Sequence, residues 1–293
     1  MTYLVGYSAD RGGQEALALG RLLAKSEGVG LTVANVVPQG WGLPSMGRVD
    51  AEYVAYVEQL AGKTLAKAKA ALGGTIATQL VIEHARTPAE GLLAVAGRTQ
   101  ARGIVVGSTR DGSIYRYTVA GVANSLLHHA PVPVALAPKN FRGAAGGRIA
   151  RVTCAHAGLD DTPEALTEAV ALTQRLKVPL RLASFVVRDK QMYPTGAGYD
   201  IEHAVANQWR SQAEAAHAAV RASLPADLAV ESATGDGDSW RASLTSIPWQ
   251  DEVLVIGSSR RGMLARVFLG SASTAIIQHA PVPVIAVPLA AAR

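Results

Sequence analysis

The sequence has very little cysteine: Cys154 is the single thiol among 293 residues. One cysteine cannot form a disulfide within the chain or build a cysteine-ligated metal site, which is typical of a protein from a reducing compartment. No apolar run approaches the ~20 residues that span a bilayer. The strand-like start, Met1–Gly6, lacks the basic and apolar regions of a signal peptide. We therefore expect a cytoplasmic protein with no membrane segment.

The chain has a small excess of positive charge, with a formal net charge of +5 at pH 7. A basic protein can bind nucleic acid through its phosphates. However, the 28 basic residues are scattered and form no dense run or nucleic-acid-binding motif. We interpret the excess as a solvated surface with a few phosphate-facing arginines, so nucleic acid is an unlikely partner.

A repeat of long period is present. The segments Val105–Arg110 and His129–Val134 both recur in similar form 150 residues later, with no insertion or deletion between them. Solenoid repeats are much shorter, roughly 20 to 50 residues, so this spacing indicates a duplicated domain. We predict one domain over residues 1–140 and a second over residues 148–293. The glycine-rich stretch at 143–147 predicts a short flexible linker.

Within each copy, short apolar runs rich in Val, Ile and Leu alternate with longer amphipathic stretches. Such runs indicate parallel strands that helices bury on both faces. We predict an α/β fold of two tandem Rossmann-like, doubly wound domains, each a five-stranded parallel sheet of order 3-2-1-4-5 with helices on both faces. The predicted strands are residues 3–7, 31–37, 78–83, 103–106 and 132–136, then 149–155, 180–187, 227–232, 252–256 and 282–287. Ligands bind such sheets at the switch point, here between strands 1 and 4.

The loop after the fourth strand lies at this switch point and is rich in glycine and serine. In the second copy it contains Gly257-Ser258-Ser259-Arg260-Arg261-Gly262 and ends in Gly270-Ser271, where a helix should begin. Glycine lets a backbone approach a phosphate closely. A helix start offers free N–H groups and the positive end of the helix dipole to an anion. The first copy has Gly107-Ser108-Thr109-Arg110 at the same place.

These loops, with the Ala-Pro-Val-Pro-Val sequence that follows in each copy, resemble the universal stress protein family. Its ATP-binding members carry Gly-x-x-Gly and, after a spacer, Gly-Ser or Gly-Thr. The resemblance implies a regulatory protein of the stress response that binds an adenine nucleotide, ATP with or without Mg²⁺. It also implies an adenine pocket at the ends of the second strands and a nucleoside contact after the first strand. The residues assigned to the nucleotide are Gly257, Ser258, Ser259, Arg260, Gly262, Gly270, Ser271, Val186, Gly107, Ser108, Thr109, Arg110, Ser8, Asp10 and Val36.

Both copies depart from the family pattern. Arg260 and Arg110 stand at the second glycine position, and Ala120-Gly121 replaces Gly-Ser in the first copy. Ser8 and Ala157 stand where the family has an aspartate, while Asp10 is near enough to compensate or to act as a helix N-cap. Two functions therefore stay open: an ATP-binding regulatory protein whose second site is the better one, and a protein-interaction scaffold with degenerate ATP sites.

The sequence shows no nucleophile elbow, no metal-ligand cluster and no carboxylate pair spaced for acid–base chemistry. Because it also lacks residues arranged to activate water, we predict that the chain is not an enzyme, with slow ATP hydrolysis left open. We interpret His129 and His279 as helix caps, and Cys154 as a core residue. Asp236–Ser239 is predicted to form a turn and N-cap rather than a calcium loop.

The final strand of each copy, at Pro131–Leu136 and Pro281–Val287, is short and bounded by proline. It should lie at a sheet edge, and an exposed apolar edge needs covering. Family resemblance implies dimerisation through this strand, so we expect an intramolecular pseudo-dimer, with a homodimer also open. The loops at 38–49 and 188–199 are candidate lids or contacts for an unknown protein partner.

Overall fold

The structure, a computed structural model, describes residues 1–39, 49–107, 121–156, 163–188, 199–257 and 271–288. The chain divides into two compact units, with the boundary between Gly143 and Ala144. Each unit contains a parallel β-sheet with helices on both of its faces. The predicted fold class is therefore confirmed. Among the described residues, no helix is long and apolar enough to cross a bilayer.

Unit 1 has the predicted strand order, β3-β2-β1-β4-β5, and every pair of neighbours is parallel. Helices α1 and α2 pack together on one face of the sheet, and α3 and α4 pack together on the other. The elements are β1 (Thr2–Gly6), α1 (Arg11–Glu27), β2 (Gly30–Pro38), α2 (Val49–Leu72), β3 (Thr78–Ala85), α3 (Pro88–Thr99), β4 (Ile104–Val106), α4 (Val122–His129) and β5 (Val134–Leu136).

Unit 2 repeats this order as β10-β9-β6-β7-β8, again with parallel neighbours throughout. Helix α5 packs on the two central strands and α6 on β7 and β8, while α7 and α8 pack against each other. The elements are β6 (Arg151–Ala155), α5 (Pro163–Leu176), β7 (Leu180–Val187), α6 (Tyr199–Ser223), β8 (Val230–Gly237), α7 (Trp240–Thr245), β9 (Glu252–Gly257), α8 (Ser271–His279) and β10 (Val284–Val287).

The central strand β1 is buried on both faces because its side chains alternate between the two helix layers. Val5 faces α1, where a Cβ built on Gly20 would lie 2.3 Å from its Cγ2 atom. Gly6 faces α3, where a Cβ on it would lie 2.8 Å from Leu92. Glycine at these two positions therefore lets each helix pack closely on the sheet.

Strand β8 extends beyond its predicted end, so the interpretation of Asp236 and Gly237 as a turn was wrong. Both residues belong to the strand, and Ser239 caps α7 by accepting a hydrogen bond from the N–H of Ala242. Gly237 and the preceding Gly235 are required by packing against α7 instead. A Cβ on Gly235 would lie 2.3 Å from the carbonyl oxygen of Ser243 in α7.

The predicted linker is partly anchored rather than free. The backbone N–H groups of Ala145 and Gly146 donate to the two carboxylate oxygens of Asp251, at 2.8 and 2.9 Å. These three residues all belong to unit 2, so the second half of the glycine-rich stretch is part of that unit. The pairing of the final strands across a pseudo-twofold axis stays a prediction.

Candidate functional site

The switch point of unit 2 lies between β6 and β9, where Cys154 is paired with Val255. Strand β9 ends at Gly257, and α8 begins at Ser271. The hydroxyl of Ser273, in the first turn of α8, donates to the carbonyl oxygen of Gly257 at 3.1 Å. This bond holds the helix start against the strand end, so the free N–H groups of the first turn lie at the switch point.

Most of the predicted phosphate loops lie outside the described residues, and their contacts stay predictions. For Ser271 the structure describes only the backbone, which forms the first residue of α8. The predicted site residues that lie outside are Ser258, Ser259, Arg260, Gly262 and Gly270 in unit 2, and Ser108, Thr109 and Arg110 in unit 1.

Unit 1 lacks the hydroxyl that anchors the helix start in unit 2. Its helix α4 begins at Val122, and at the position 150 residues before Ser273 stands Ala123, which is buried. Gly121 precedes the helix with φ of 57° and ψ of −118°, a conformation that favours glycine, and among the described residues no side chain caps the helix. The two units therefore differ at the same point of the fold.

The turn after β1 places Ser8 and Asp10 at the carboxyl end of the sheet in unit 1. Ser8 is exposed. Asp10 caps α1, since its Oδ1 atom accepts from the N–H of Gly13 at 2.8 Å, so the N-cap interpretation is confirmed. Burial raises the pKa of Tyr7 beside it, and the negative charge of Asp10 raises that pKa further.

The end of β4 in unit 1 lies directly against the first turn of α1. A Cβ built on Gly107 would lie 1.8 Å from the carbonyl oxygen of Gly12. Any larger residue at position 107 would push the helix start away from the strand. Gly107 therefore has a packing role that the sequence alone did not reveal.

The two valines predicted to line an adenine pocket are not equivalent positions. By strand pairing, each residue of β7 matches the residue of β2 that stands 149 positions earlier, rather than 150. Val36 therefore corresponds to Phe185, and Val186 corresponds to Val37. Val36 packs against α3, because a Cβ on Gly91 would lie 2.6 Å from it. Val186 is buried on the opposite face of its own sheet, by the alternation of side chains along a strand.

A buried cluster of Ser184, His156 and His217 in unit 2 was not identified from the sequence. The Ser184 hydroxyl donates to the carbonyl oxygen of His156 at 2.5 Å and lies 2.9 Å from Nε2 of His217. A hydroxyl carries one proton, so Ser184 must accept from Nε2–H of His217. The imidazole therefore cannot take the serine proton in this arrangement, as a nucleophile–base pair requires.

A charged cluster at the carboxyl ends of β7 and β8 was also missed. Asp236 accepts from Nε of Arg188 and from Nη2 of Arg210, each at 2.9 Å. Arg188 directly follows β7, so its place in the sequence could have drawn attention to it. Its partners could not be found that way, because Arg210 comes from α6 and Asp236 was predicted to lie in a turn.

The histidines that end the last helix of each unit differ in their surroundings. Nδ1 of His129 lies 2.8 Å from the carbonyl oxygen of Ser125, one turn earlier, which confirms the capping interpretation for this residue. In unit 2, burial lowers the pKa of His279, and the positive charge of Arg241 lowers it further.

This lowered pKa predicts acid sensitivity in unit 2. The folded state favours neutral His279, so its contribution to stability is present above about pH 6.5 and is lost as the pH falls through the lowered pKa. We expect His279→Gln to reduce the fall in unfolding free energy between about pH 7 and pH 5. Urea unfolding followed by tryptophan fluorescence at both pH values measures this. Arg241→Gln should have an effect in the same direction, and equal pH dependence in all three proteins would contradict the prediction.

Comparison with known proteins identifies relatives along the whole chain. The model of the Universal stress protein family matches residues 1–138 and 149–288. The chain is 36% identical over 294 residues to Universal stress protein Rv2319c of Mycobacterium tuberculosis strain H37Rv, covering 98% of this chain and 100% of the relative. Universal stress protein Mb2346c of Mycobacterium bovis matches with the same identity and coverage.

Two solved structures are similar over nearly their full lengths. A universal stress protein from Archaeoglobus fulgidus DSM 4304 has a TM-score of 0.62 at 17% identity, with 97% of both chains covered. A putative universal stress protein from Pseudomonas aeruginosa UCBPP-PA14 has a TM-score of 0.55 at 12% identity, covering 98% of this chain and 93% of the other. At these identities the two structures support the fold.

Proposed function

The chain belongs to the universal stress protein family, and we propose that it binds an adenine nucleotide, ATP in the first instance, as a regulatory ligand in the stress response. The observation that supports this best is the start of α8, which the bond from Ser273 to Gly257 holds at the switch point of unit 2. Free N–H groups and the positive dipole end at such a place favour an anion. The phosphates of the nucleotide would bind there.

The adenosine would then extend from this helix start across the carboxyl ends of β6 and β7. Any Mg²⁺ would be bound together with the nucleotide phosphates. Among the residues that the structure describes, no group of three or more His, Cys, Asp or Glu side chains could hold a metal by itself.

We further propose that the nucleotide regulates rather than reacts. The hydrogen bonds of Ser184 do not permit activation by His217, so this buried pair does not supply a nucleophile. A ligand that binds one conformation of the unit better would instead change the surface shown to a protein partner. A cytoplasmic location agrees with the single cysteine, Cys154, which is buried and forms no disulfide.

ATP titration by calorimetry with the full chain tests the proposal. We expect Ser273→Ala to weaken binding several-fold, since the helix start loses its link to the end of β9. Ser223→Ala is the matched control, because its hydroxyl also donates to a backbone carbonyl, that of Val220, but far from the site at the end of α6. If both variants lose the same amount of ATP affinity, the position of Ser273 no longer supports the nucleotide site.

A scaffold that acts through protein contacts is the second candidate function. The observation that favours it is the start of α4 in unit 1, where Ala123 replaces the anchoring serine and no side chain in the described part of the chain caps the helix. The two functions are separated by denaturing the purified chain and analysing the supernatant for nucleotide by mass spectrometry. An empty supernatant together with no heat of ATP binding would end the nucleotide proposal and favour the scaffold.

A further inference from the structure

We propose that helix α2 of unit 1 is an interface through which two copies of this chain associate, with their α2 helices antiparallel. The inference does not depend on the proposed nucleotide site. The observations that support it are an exposed apolar stripe along α2, the spacing of the residues in that stripe and the distribution of charge along the helix.

Helix α2 carries most of the large apolar side chains that are exposed in the described part of the chain. Tyr53 is 52% exposed, Tyr56 is 62% exposed and Leu60 is 52% exposed. The side of the helix that packs on the sheet consists of other residues, all of them buried: Ala61, Leu65, Ala68 and Leu72. The three exposed side chains therefore do not contribute to the core of unit 1. Exposed apolar surface of this kind, rich in tyrosine, is typical of a contact between proteins.

The exposed residues follow the spacing of a coiled-coil seam. Tyr53, Tyr56 and Leu60 are separated by three and then four positions. The same alternation continues along the helix through residues that are also exposed: Lys63, Lys67 and Ala70. Side chains at this spacing lie in one line along a helix, and two helices pack along their length through such lines. These six residues form the α2 stripe, which extends over about five helical turns.

The charges of α2 are separated along its length in a way that favours an antiparallel partner. The first half of the helix, residues 49–60, contains acidic residues and no basic one, whereas the second half, residues 61–72, contains lysines and no acidic residue. Two parallel copies would place like charges side by side. Two antiparallel copies place the acidic half of each helix beside the lysine half of the other. The helix is therefore complementary to itself, and a second copy of the chain is the partner that it fits.

An antiparallel pair with its twofold axis between Leu60 and Lys63 brings the two stripes into register. Leu60 then faces Lys63 of the second copy, and Tyr56 faces Lys67 of the second copy. The methylene stems of these lysines cover apolar surface, and the ammonium group of Lys67 is attracted to the ring of Tyr56. The twofold axis repeats each contact, so the interface is closed and joins two copies only.

Unit 2 differs from unit 1 on the corresponding helix. The exposed side chains of α6 between residue 207 and its end at Ser223 are polar or alanine, while Trp209 and Val220 are partly buried. The fold itself therefore does not require exposed tyrosine and leucine side chains on this helix. The interface belongs to unit 1.

Analytical ultracentrifugation of the full chain, in a dilution series between about 1 mM and about 1 µM, tests this inference. We expect an equilibrium between monomer and dimer. Tyr56→Lys should raise the dimer dissociation constant on the order of tenfold or more, because it removes a tyrosine from the contact and places a lysine against Lys67 of the second copy. Ala55→Lys is the matched control, since it adds the same charge at the neighbouring exposed position, outside the α2 stripe. It should leave the dissociation constant nearly unchanged.

A second substitution tests the antiparallel register. Adding Lys67→Glu to the Tyr56→Lys variant should restore most of the lost affinity, because each new lysine then faces a new glutamate of the other copy. In a parallel pair, each substituted position would face the same position of the other copy. Like charges would then oppose each other, and the affinity would not recover.

Three results would overturn the inference. A parent protein that stays monomeric throughout the series would leave the α2 stripe to a different protein. A dimer that is as stable in Tyr56→Lys as in Ala55→Lys would assign the interface to another surface of the chain. Weakening without recovery in the double variant would contradict the antiparallel pairing of α2. All the substituted side chains are exposed, so we expect the variants to fold, and circular dichroism spectra that match the parent protein check this.

Discussion

Glu252→Gln is expected to lower the unfolding free energy of unit 2 by about 3–5 kcal/mol, because it leaves a buried cation without its partner. The side chain of Glu252 is fully buried, and that of Arg181 is 3% exposed. Oε2 of Glu252 accepts from Nη2 of Arg181 at 2.8 Å, and Oε1 accepts from Nη2 of Arg151 at 2.8 Å. One carboxylate therefore pairs with two guanidinium groups at the amino end of the sheet.

The remaining contacts of Arg181 cannot replace that carboxylate. Its other donors bind Thr153 and the carbonyl oxygen of Pro248, and its guanidinium lies 4.7 Å from the ring centre of Trp249. Burial lowers the pKa of Arg181, because removal from water disfavours its charged form. A neutral glutamine would keep some hydrogen bonds and lose the charge that offsets this cost.

Urea unfolding followed by tryptophan fluorescence measures the effect in the full chain. Three of the four tryptophans, Trp209, Trp240 and Trp249, belong to unit 2, so the signal reports mainly on that unit. The control is Glu231→Gln, which removes the second, half-exposed partner of Arg151 and should cost at most about 1 kcal/mol. Similar costs for the two variants would show that the buried network is not what stabilises unit 2.

Unit 1 has a different charged pair at this place, so the polar contacts have changed since the duplication. Arg102 stands at the position of Glu252 and pairs with Glu27, whose side chain is fully buried. The positions that match Arg151 and Arg181 in strand register hold Thr2 and Thr32, whose hydroxyl oxygens lie 3.3 Å apart. The apolar residues of the strands, by contrast, recur in both units. The hydrophobic pattern determines the strand order of the sheet in both units, whereas the polar contacts at the strand ends differ between the two units.

The strand order and the main helices could be predicted from the sequence because hydrophobic burial is repeated twice along the chain. A long stretch between the second and third strands forms helix α2, over Val49–Leu72. The last strands begin later than predicted, at Val134 and Val284. Pro133 and Pro283 have no N–H to donate, so only their carbonyl groups join the neighbouring strands.

Features that depend on contacts between distant residues could not be predicted. The pairing of Arg181 with Glu252 joins residues 71 positions apart, and each looked like an isolated charge in an apolar strand. Asp236 was placed in a turn because the sequence Asp236–Ser239 is typical of one when the packing of Gly237 against α7 is unknown. Arg188 and Arg210 were missed for the same reason, since their common partner Asp236 was assigned to a turn.

ATP binding is expected to weaken by tenfold or more in a Gly270→Asp variant and to persist in an Ala120→Asp variant. Position 270 directly precedes Ser271, the first residue of α8. A carboxylate there competes with phosphate for the N–H groups of the first turn and repels it. Aspartate is also a favourable N-cap, so the substitution should preserve the helix, and a loss of binding would not come from unfolding.

The difference between the units follows from the groups at their helix starts. Unit 2 has Ser271 and the anchored Ser273, whereas unit 1 has Gly121 and Ala123 at the same positions. A charge-assisted hydrogen bond is worth about 1.5–3 kcal/mol, on the order of tenfold to a hundredfold in affinity. Arg260 and Arg110 stand at the same position in both copies, so they do not create the asymmetry. Calorimetric titration with ATP measures it, and binding that survives Gly270→Asp but disappears in Ala120→Asp would assign the stronger site to unit 1.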